Sequence, residues 1–289
     1  MKKAFLQLHI AILLAGFTGV LGRLISINEG LLVWYRMFFT AITLGIMALI
    51  TQKVSLRFHK SFFPLIGIGF IIALHWVFFY GSIKYSNVSV GLVCFSSIGF
   101  FSSVIEPFVL KRKIDPIEVI LGIAVMFGVY LIFHFANDYK LGIIFGIISS
   151  FLAALFTILN KKMVGKHNPE TISYYELGGG WAALTFFLPI YFQFFPVERY
   201  LPTLTDFLWL IVLSLFCTVL AFNLSIRSLQ KISPFTVNLS YNLEPVYGIA
   251  LAFLIYQEHR ELGSSFYMGL GVIFLTVLIQ TWRTWTKRD

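Results

Sequence analysis

Residues 62–84 read FFPLIGIGFIIALHWVFFYGSIK, with no charge until Lys84 closes the run. A stretch of that length and apolarity fits a bilayer's hydrocarbon core, which takes about 20 helical residues. Its last six residues, Phe79-Tyr80-Gly81-Ser82-Ile83-Lys84, return as Phe222-Asn223-Leu224-Ser225-Ile226-Arg227. Phe, Ser, Ile and a base recur in the same places 143 residues later. The first reading predicts a membrane helix, the second a duplicated chain.

Working outward from this run, apolar segments lie at 4–25, 30–50, 62–84, 88–110, 116–135, 141–163, 171–195, 206–228, 234–256 and 264–285. The breaks between them carry Pro, Asn, Gly or charge, as at Asp115-Pro116, Asn168-Pro169 and Ser233-Pro234. Gly178, Gly179 and Gly180 weaken helix propensity in the seventh segment, yet small residues let membrane helices approach closely. The chain has 289 residues, 58% hydrophobic and only 12% charged. A soluble domain carries about a quarter charged residues, so there is too little polar surface here for one. The expected fold is an all-α membrane protein of ten transmembrane helices. The run from Ala4 is too long for a signal-peptide core and is read as a retained first span. Cys94 and Cys217 fall inside apolar runs and read as small hydrophobes.

Lys and Arg sort between the connections. Lys2, Lys3, Lys53, Arg57, Lys60, Lys111, Arg112, Lys113, Lys161, Lys162, Lys166, Arg227, Lys231, Arg283, Lys287 and Arg288 fall on one side. Only Arg23, Lys84, Lys140, Arg199 and Arg260 fall on the other. The positive-inside rule then puts both termini in the cytoplasm. The net charge of +9 reads as this topology signal rather than as a nucleic-acid footprint.

The repeat extends beyond one match. Trp34-Tyr35-Arg36 opens the second segment as Tyr174-Tyr175-Glu176 opens the seventh; Arg23 closes the first as Lys161 closes the sixth; Gly122 aligns with Gly269. Five spans per copy is odd, so the copies, 4–136 and 137–287, must be inserted upside down relative to each other. Two inverted five-helix repeats with a midplane site between them are a secondary-transporter architecture.

Ionisable groups at bilayer depth are costly and face protein, water or substrate. Glu244 sits near the middle of its span beside Pro245, where a carboxylate and a freed carbonyl suit an amine or a coupling proton, or fix a helix break. His75 shares a face with Phe79, and Thr218 and Phe222 form the equivalent face of the eighth span. His75 reads either as a packed histidine or as a proton carrier. Asn238 and Asn242 read as sharing a face, as interhelical glue or substrate contacts, and Trp76 and Tyr241 as stacking or packing groups. Arg36 and Glu176, about five residues inside their spans, read as snorkelling or structural charges near opposite surfaces. Glu106 reads as a partner of Lys111 or Arg112, or as a gate.

Other motifs are set aside. Asn87-Val88-Ser89, Asn223-Leu224-Ser225 and Asn238-Leu239-Ser240 match the glycosylation pattern, but two lie inside spans. Gly142-x-x-x-Gly146 reads as internal packing. No phosphate-cradling loop, metal-ligand spacing or nucleophile triad is recognisable, so no cofactor, metal or catalytic residue is expected.

Leu243-Glu244-Pro245 followed by Glu258, with Ser225-Ile226-Arg227-Ser228-Leu229 ending the eighth segment, resembles the drug/metabolite transporter superfamily, in particular its bacterial EamA-type permeases. The chain departs where the fourth span of that family carries Pro; here Ser96-Ser97-Ile98-Gly99 stands instead. The basic cluster Lys111-Arg112-Lys113 replaces the closing Glu of the first half. The resemblance implies a carrier of amino acids or similar small metabolites in the bacterial cytoplasmic membrane. Export is the expected direction, with a monomer or homodimer as the working form. A polytopic enzyme acting on lipid-linked substrates is the rival from another class. Such enzymes gather carboxylates or histidines at one interface, whereas here the acidic residues are scattered.

Overall fold

The structure, a computed structural model, describes residues 2–54, 59–135, 139–260 and 262–286. Arg57, Lys287 and Arg288 of the charge pattern, and the expected repeat boundary at 136–137, lie outside the described residues.

Every element among the described residues is helical, and helices fill each of the apolar segments. They are α1 (Lys2–Leu24), α2 (Glu29–Thr51), α3 (Phe63–Lys84), α4 (Val88–Phe95), α5 (Ile98–Leu110), α6 (Pro116–Phe135), α7 (Lys140–Val164) and α8 (Pro169–Phe194). After these come α9 (Leu204–Ser214), α10 (Ala221–Leu229), α11 (Pro234–Ser240), α12 (Glu244–Tyr256) and α13 (Ser264–Thr286). Among the described residues, six spans are long and apolar enough to cross a membrane: α1, α2, α3 with its leading turn, α4 with α5, α7, and the run Leu204–Leu229.

Polar side chains start several of the helices. Asn28, Asn87 and Asn168 cap α2, α4 and α8 by accepting from Gly30, Val90 and Thr171 backbone N–H groups. Thr203 and Asp206 form a reciprocal capping box on α9. Asn87 is buried in that role, which removes it as a glycan acceptor.

Three of the expected spans are irregular. The fourth breaks between Phe95 and Ile98, and the ninth breaks at a 3-10 turn, Tyr241–Leu243. The eighth widens to a π-helical turn over Leu215–Leu220, where the Thr218 hydroxyl donates to the Leu213 carbonyl at 2.9 Å. Irregular backbone at membrane depth is tolerated where it lines a cavity or is buried in protein.

Helix α3 packs most extensively, on α7 and α8, while α1 lies against α10 and α12, α5 against α7, and α2 against α8. Helices α6 and α13 pair at the edge, turning Ile120, Ile123, Met268 and Leu275 outward. The glycine triplet is explained by one contact. A Cβ on Gly180 would lie 2.3 Å from the Gly69 carbonyl oxygen, so the α3 and α8 backbones touch. Gly178, by contrast, faces open space.

Candidate functional site

A cavity of about 760 Å³, counted to its open mouth, lies inside the bundle between the broken helices and the π-helical turn. Helices α1, α2, α3, α4, α5, α7, α10 and α11 contribute to its wall, together with the π-helical turn, the Tyr241–Leu243 turn and the first residue of α12. It runs from the level of Thr18, Arg36, His75 and Glu244 toward that of Asn160, Ser225 and Leu229. Trp76, Phe79 and Phe222 give it an aromatic wall, joined by Phe95 and Phe156.

Of the two readings of Arg36, snorkelling or structural, the structure removes the first. Arg36 is 2% exposed and does not snorkel; it projects into the cavity. Its Nε donates to Thr218 Oγ1 at 2.7 Å, Nη1 to the Tyr80 hydroxyl at 2.8 Å, and Nη2 to the Cys217 carbonyl at 3.2 Å. The guanidinium carbon stands 3.8 Å from the centre of the Trp76 ring. The π-helical turn makes this possible, because widening the helix presents the Cys217 carbonyl and the Thr218 hydroxyl to the guanidinium. A guanidinium has five N–H donors, so two remain after these bonds. Thr218 therefore serves as an anchor behind Arg36 and is not itself part of the cavity wall.

Glu244 enters the same cavity from the first turn of α12. It is 4% exposed, and its bond from Thr18 Oγ1 is long, at 3.5 Å. Arg36 and Glu244 line the same cavity, and no ion pair joins them. His75 fixes its ring through Ser149. The serine carbonyl can only accept, so Nδ1 carries the proton in the 2.9 Å bond and Nε2 is left over. Asn238 donates to Ser102 Oγ at 2.7 Å, joining the two broken spans. Asn160, from α7, donates at 3.1 Å to Glu176, a wholly buried carboxyl just behind the wall.

The cavity thus gathers His75, Trp76, Phe79, Phe222, Asn238, Tyr241, Glu244 and Arg36. Asn242 is turned away and does not share a face with Asn238. The 3-10 turn advances about 120° per residue instead of 100° and carries Asn242 toward Gly122 and Thr276. Glu106 also lies elsewhere, ion-paired with Arg112 at 3.2 Å as the sequence suggests. Thr18, Phe156, Thr157 and Asn160 line the cavity although the sequence reading omitted the first and sixth spans from it. The signal was present: Ala15-Gly16-Phe17-Thr18 and Ala154-Leu155-Phe156-Thr157 are the same motif in repeat-equivalent spans.

Each end of the bundle has its own polar closure. At one end Arg23 pairs with Glu258, whose carboxylate also accepts from the Val88 and Ser89 N–H groups at 3.0 and 2.8 Å and from Ser89 Oγ at 2.6 Å. The acid thereby caps the start of α4. At the other end Lys161 donates to the Leu229 and Ile232 carbonyls, and Arg227 pairs with Glu170. Among the described residues, no three His, Cys, Asp or Glu side chains form a group able to hold a metal.

Known proteins similar to this chain are transporters. A family model described as the EamA-like transporter family matches residues 2–134 and again 140–282. An uncharacterized transporter of Clostridium kluyveri is 22% identical over 204 residues, which is 68% of this chain and 63% of the relative. An uncharacterized transporter of Archaeoglobus fulgidus is 29% identical over 158 residues, 55% of this chain and 54% of the relative. The chain therefore spans between about half and two thirds of the length of these relatives. A solved structure described only as "Crystal structure of protein" superposes over 100% of both chains with a TM-score of 0.71 at 15% identity, so the fold is shared.

Proposed function

The chain belongs to the EamA-like transporter family, and on that premise we propose that it is a secondary transporter of amino acids or similar small metabolites across the bacterial cytoplasmic membrane. The direction is export, by alternating access of the central cavity to the two sides. Ten spans form two inverted repeats, 4–136 and 137–287, with both termini in the cytoplasm. What supports the inverted arrangement is the exchange of packing partners. The third span lies on the sixth and seventh, as the eighth, in pieces, lies on the first and second. The fourth and ninth spans, which would be equivalent, are the two that break.

The observation that carries the substrate class is a buried guanidinium and a buried carboxyl group that line one cavity with no ion pair between them. Burying a lone charge is expensive unless something compensates it. Arg36 has two N–H donors to spare and suits a carboxylate, while Glu244, weakly bonded, suits an ammonium. A zwitterion satisfies both at once. Glu244 can hold an ammonium or a proton, not both, and this competition supplies coupling to a proton gradient. His75 Nε2 and the aromatic wall then meet the rest of the substrate. The arrangement disfavours an enzyme of lipid-linked substrates, because the polar groups converge at mid-depth rather than at one interface.

The test is counterflow of an amino-acid panel in proteoliposomes, comparing the wild type with Glu244→Gln. Removing one charge-assisted hydrogen bond of about 1.5–3 kcal/mol should weaken substrate binding at least about tenfold and abolish pH-driven flux. Unchanged flux in Glu244→Gln takes that residue out of the mechanism.

A further inference from the structure

A second hollow, separate from the central cavity, opens on the flank of the bundle between α1, α2 and the span that contains α10. It measures about 1000 Å³ to its mouth. Its separation is built into one helix. Cys217, Ala221, Phe222 and Ser225 face the central cavity, whereas Val219, Leu220, Asn223 and Arg227 face the groove.

The groove has a polarity gradient. Along α2 it is lined by Leu44, Met47 and Ala48, then by Thr51 and, past the helix end, Lys53. Along the facing span it passes from Val219 and Leu220 to Asn223 and then Arg227. Both walls therefore go from apolar to basic in the same direction, with one acid, Glu170 of α8, lining the basic end beside Arg227. The apolar stretch from Leu44 to Thr51 is about 10 Å deep at 1.5 Å per residue, within one leaflet's half of the hydrocarbon core. Met47 and Leu220 are 45% and 44% exposed, so the wall is open at the bundle's outer surface.

The rim presents unused donors. Arg227 spends Nε on Asn223 at 2.6 Å and Nη2 on Glu170, and no partner of Nη1 is found among the described residues. Asn168 holds the Lys53 backbone carbonyl at 2.8 Å, placing that residue at the rim, and its ammonium has no partner among the described residues. Lys2, Lys3, Lys161, Lys162 and Lys166 belong to the same end of the bundle.

We propose that this groove is a binding site for one anionic phospholipid, with the phosphate at Lys53 and Arg227 and the upper part of an acyl chain along Met47 and Leu220. A free phosphate would satisfy the rim and leave the apolar wall unused. A neutral amphiphile would fill the wall and leave the Lys53 ammonium and the spare Arg227 N–H groups unused. Basic pockets between membrane helices recognise anionic headgroups on this physical ground.

Native mass spectrometry of the full-length protein, titrated with phosphatidylglycerol or phosphatidylcholine, tests the site. One phosphatidylglycerol should bind about tenfold more tightly than phosphatidylcholine. Lys53→Gln, at an exposed position, should weaken phosphatidylglycerol about fivefold and leave phosphatidylcholine unchanged. Leu220→Trp, which fills the groove, should remove the tight lipid whatever its headgroup. Equal affinities for the two lipids, or an unaltered titration for Lys53→Gln, overturns the assignment. So does displacement of the bound lipid by millimolar inorganic phosphate.

Discussion

Replacing Glu258 by Gln should open the end of the bundle that Arg23 closes. The carboxylate is wholly buried and serves four donors: Arg23, the Val88 and Ser89 N–H groups, and Ser89 Oγ. An amide offers one acceptor oxygen in place of two and points an NH₂ at the remaining donors. Two charge-assisted bonds are lost, at about 1.5 kcal/mol each at the low end of their range. Arg23 is 36% exposed on its side chain, so its own part of the pair is screened and adds little. The sum is about 3 kcal/mol, or roughly a hundredfold in the equilibrium between closed and open. Val20 is 3% exposed behind this closure, its carbonyl held by the Tyr256 hydroxyl at 2.9 Å. A cysteine placed there, in a background lacking Cys94 and Cys217, should react with a polar maleimide roughly a hundredfold faster in Glu258→Gln. A cysteine at Ile158, also buried but one turn from Lys161 at the other end, should not respond, which separates local opening from general loosening. If Val20→Cys reacts at the same rate with and without the glutamate, Glu258 does not hold this end shut.

Two further predictions address the site and the packing. Arg36→Lys keeps the charge but not the fork that reaches Thr218, Tyr80 and the Cys217 carbonyl together. It should raise the substrate KM at least about tenfold and also lower the Tm, because buried partners lose their donors, whereas a lowered Tm with KM unchanged would make Arg36 a purely structural group. Gly180→Val puts a side chain into the Gly69 carbonyl and should lower the Tm measurably, by about 1–3 kcal/mol of overpacking, while Gly178→Ala, which meets nothing, should leave it unchanged. A thermal melt of both variants in detergent reads this directly.

The spans were legible because a run such as 62–84 can satisfy its backbone in lipid only as a helix. Glu244 and His75 were legible for a related reason, since a polar group at mid-depth stands out against apolar neighbours. The burial of Arg36 is not legible in the sequence, because the start of its helix is itself covered. Glu29, the first residue of α2, is itself 3% exposed. The chain around residues 191–206 covers it: Tyr191 donates to Glu29, Asp206 holds Ser26, and the Tyr35 hydroxyl reaches the Tyr200 carbonyl. No periodicity reports how far a loop folds back over a helix end. Asn242 was misjudged for a local reason, because a constant 100° step was applied across residues that form a 3-10 turn. Nothing in Tyr241-Asn242-Leu243 marks that turn except the proline two residues on.

On the inverted-repeat reading, the two ends of the carrier are built from equivalent pieces, and the difference between them sets which end rests open. A perfectly symmetric pair of halves would weigh the two states equally, since each contact broken at one end would be remade at the other. The chain is not symmetric where it matters. Arg23 has a buried carboxylate that also caps a helix, whereas the equivalent Lys161 binds two main-chain carbonyls. The acid near that second end, Glu106, is already engaged by Arg112. The second end has its own carboxylate pair, Arg227 with Glu170, but that acid is 22% exposed and screened by solvent, whereas Glu258 is wholly buried and serves four donors, so the Arg23 end is held more firmly shut. A substrate that brings its own charges between Arg36 and Glu244 changes the field at mid-depth without touching either closure. On that reading the unequal closures, and not the shared cavity, would set the resting state of the carrier.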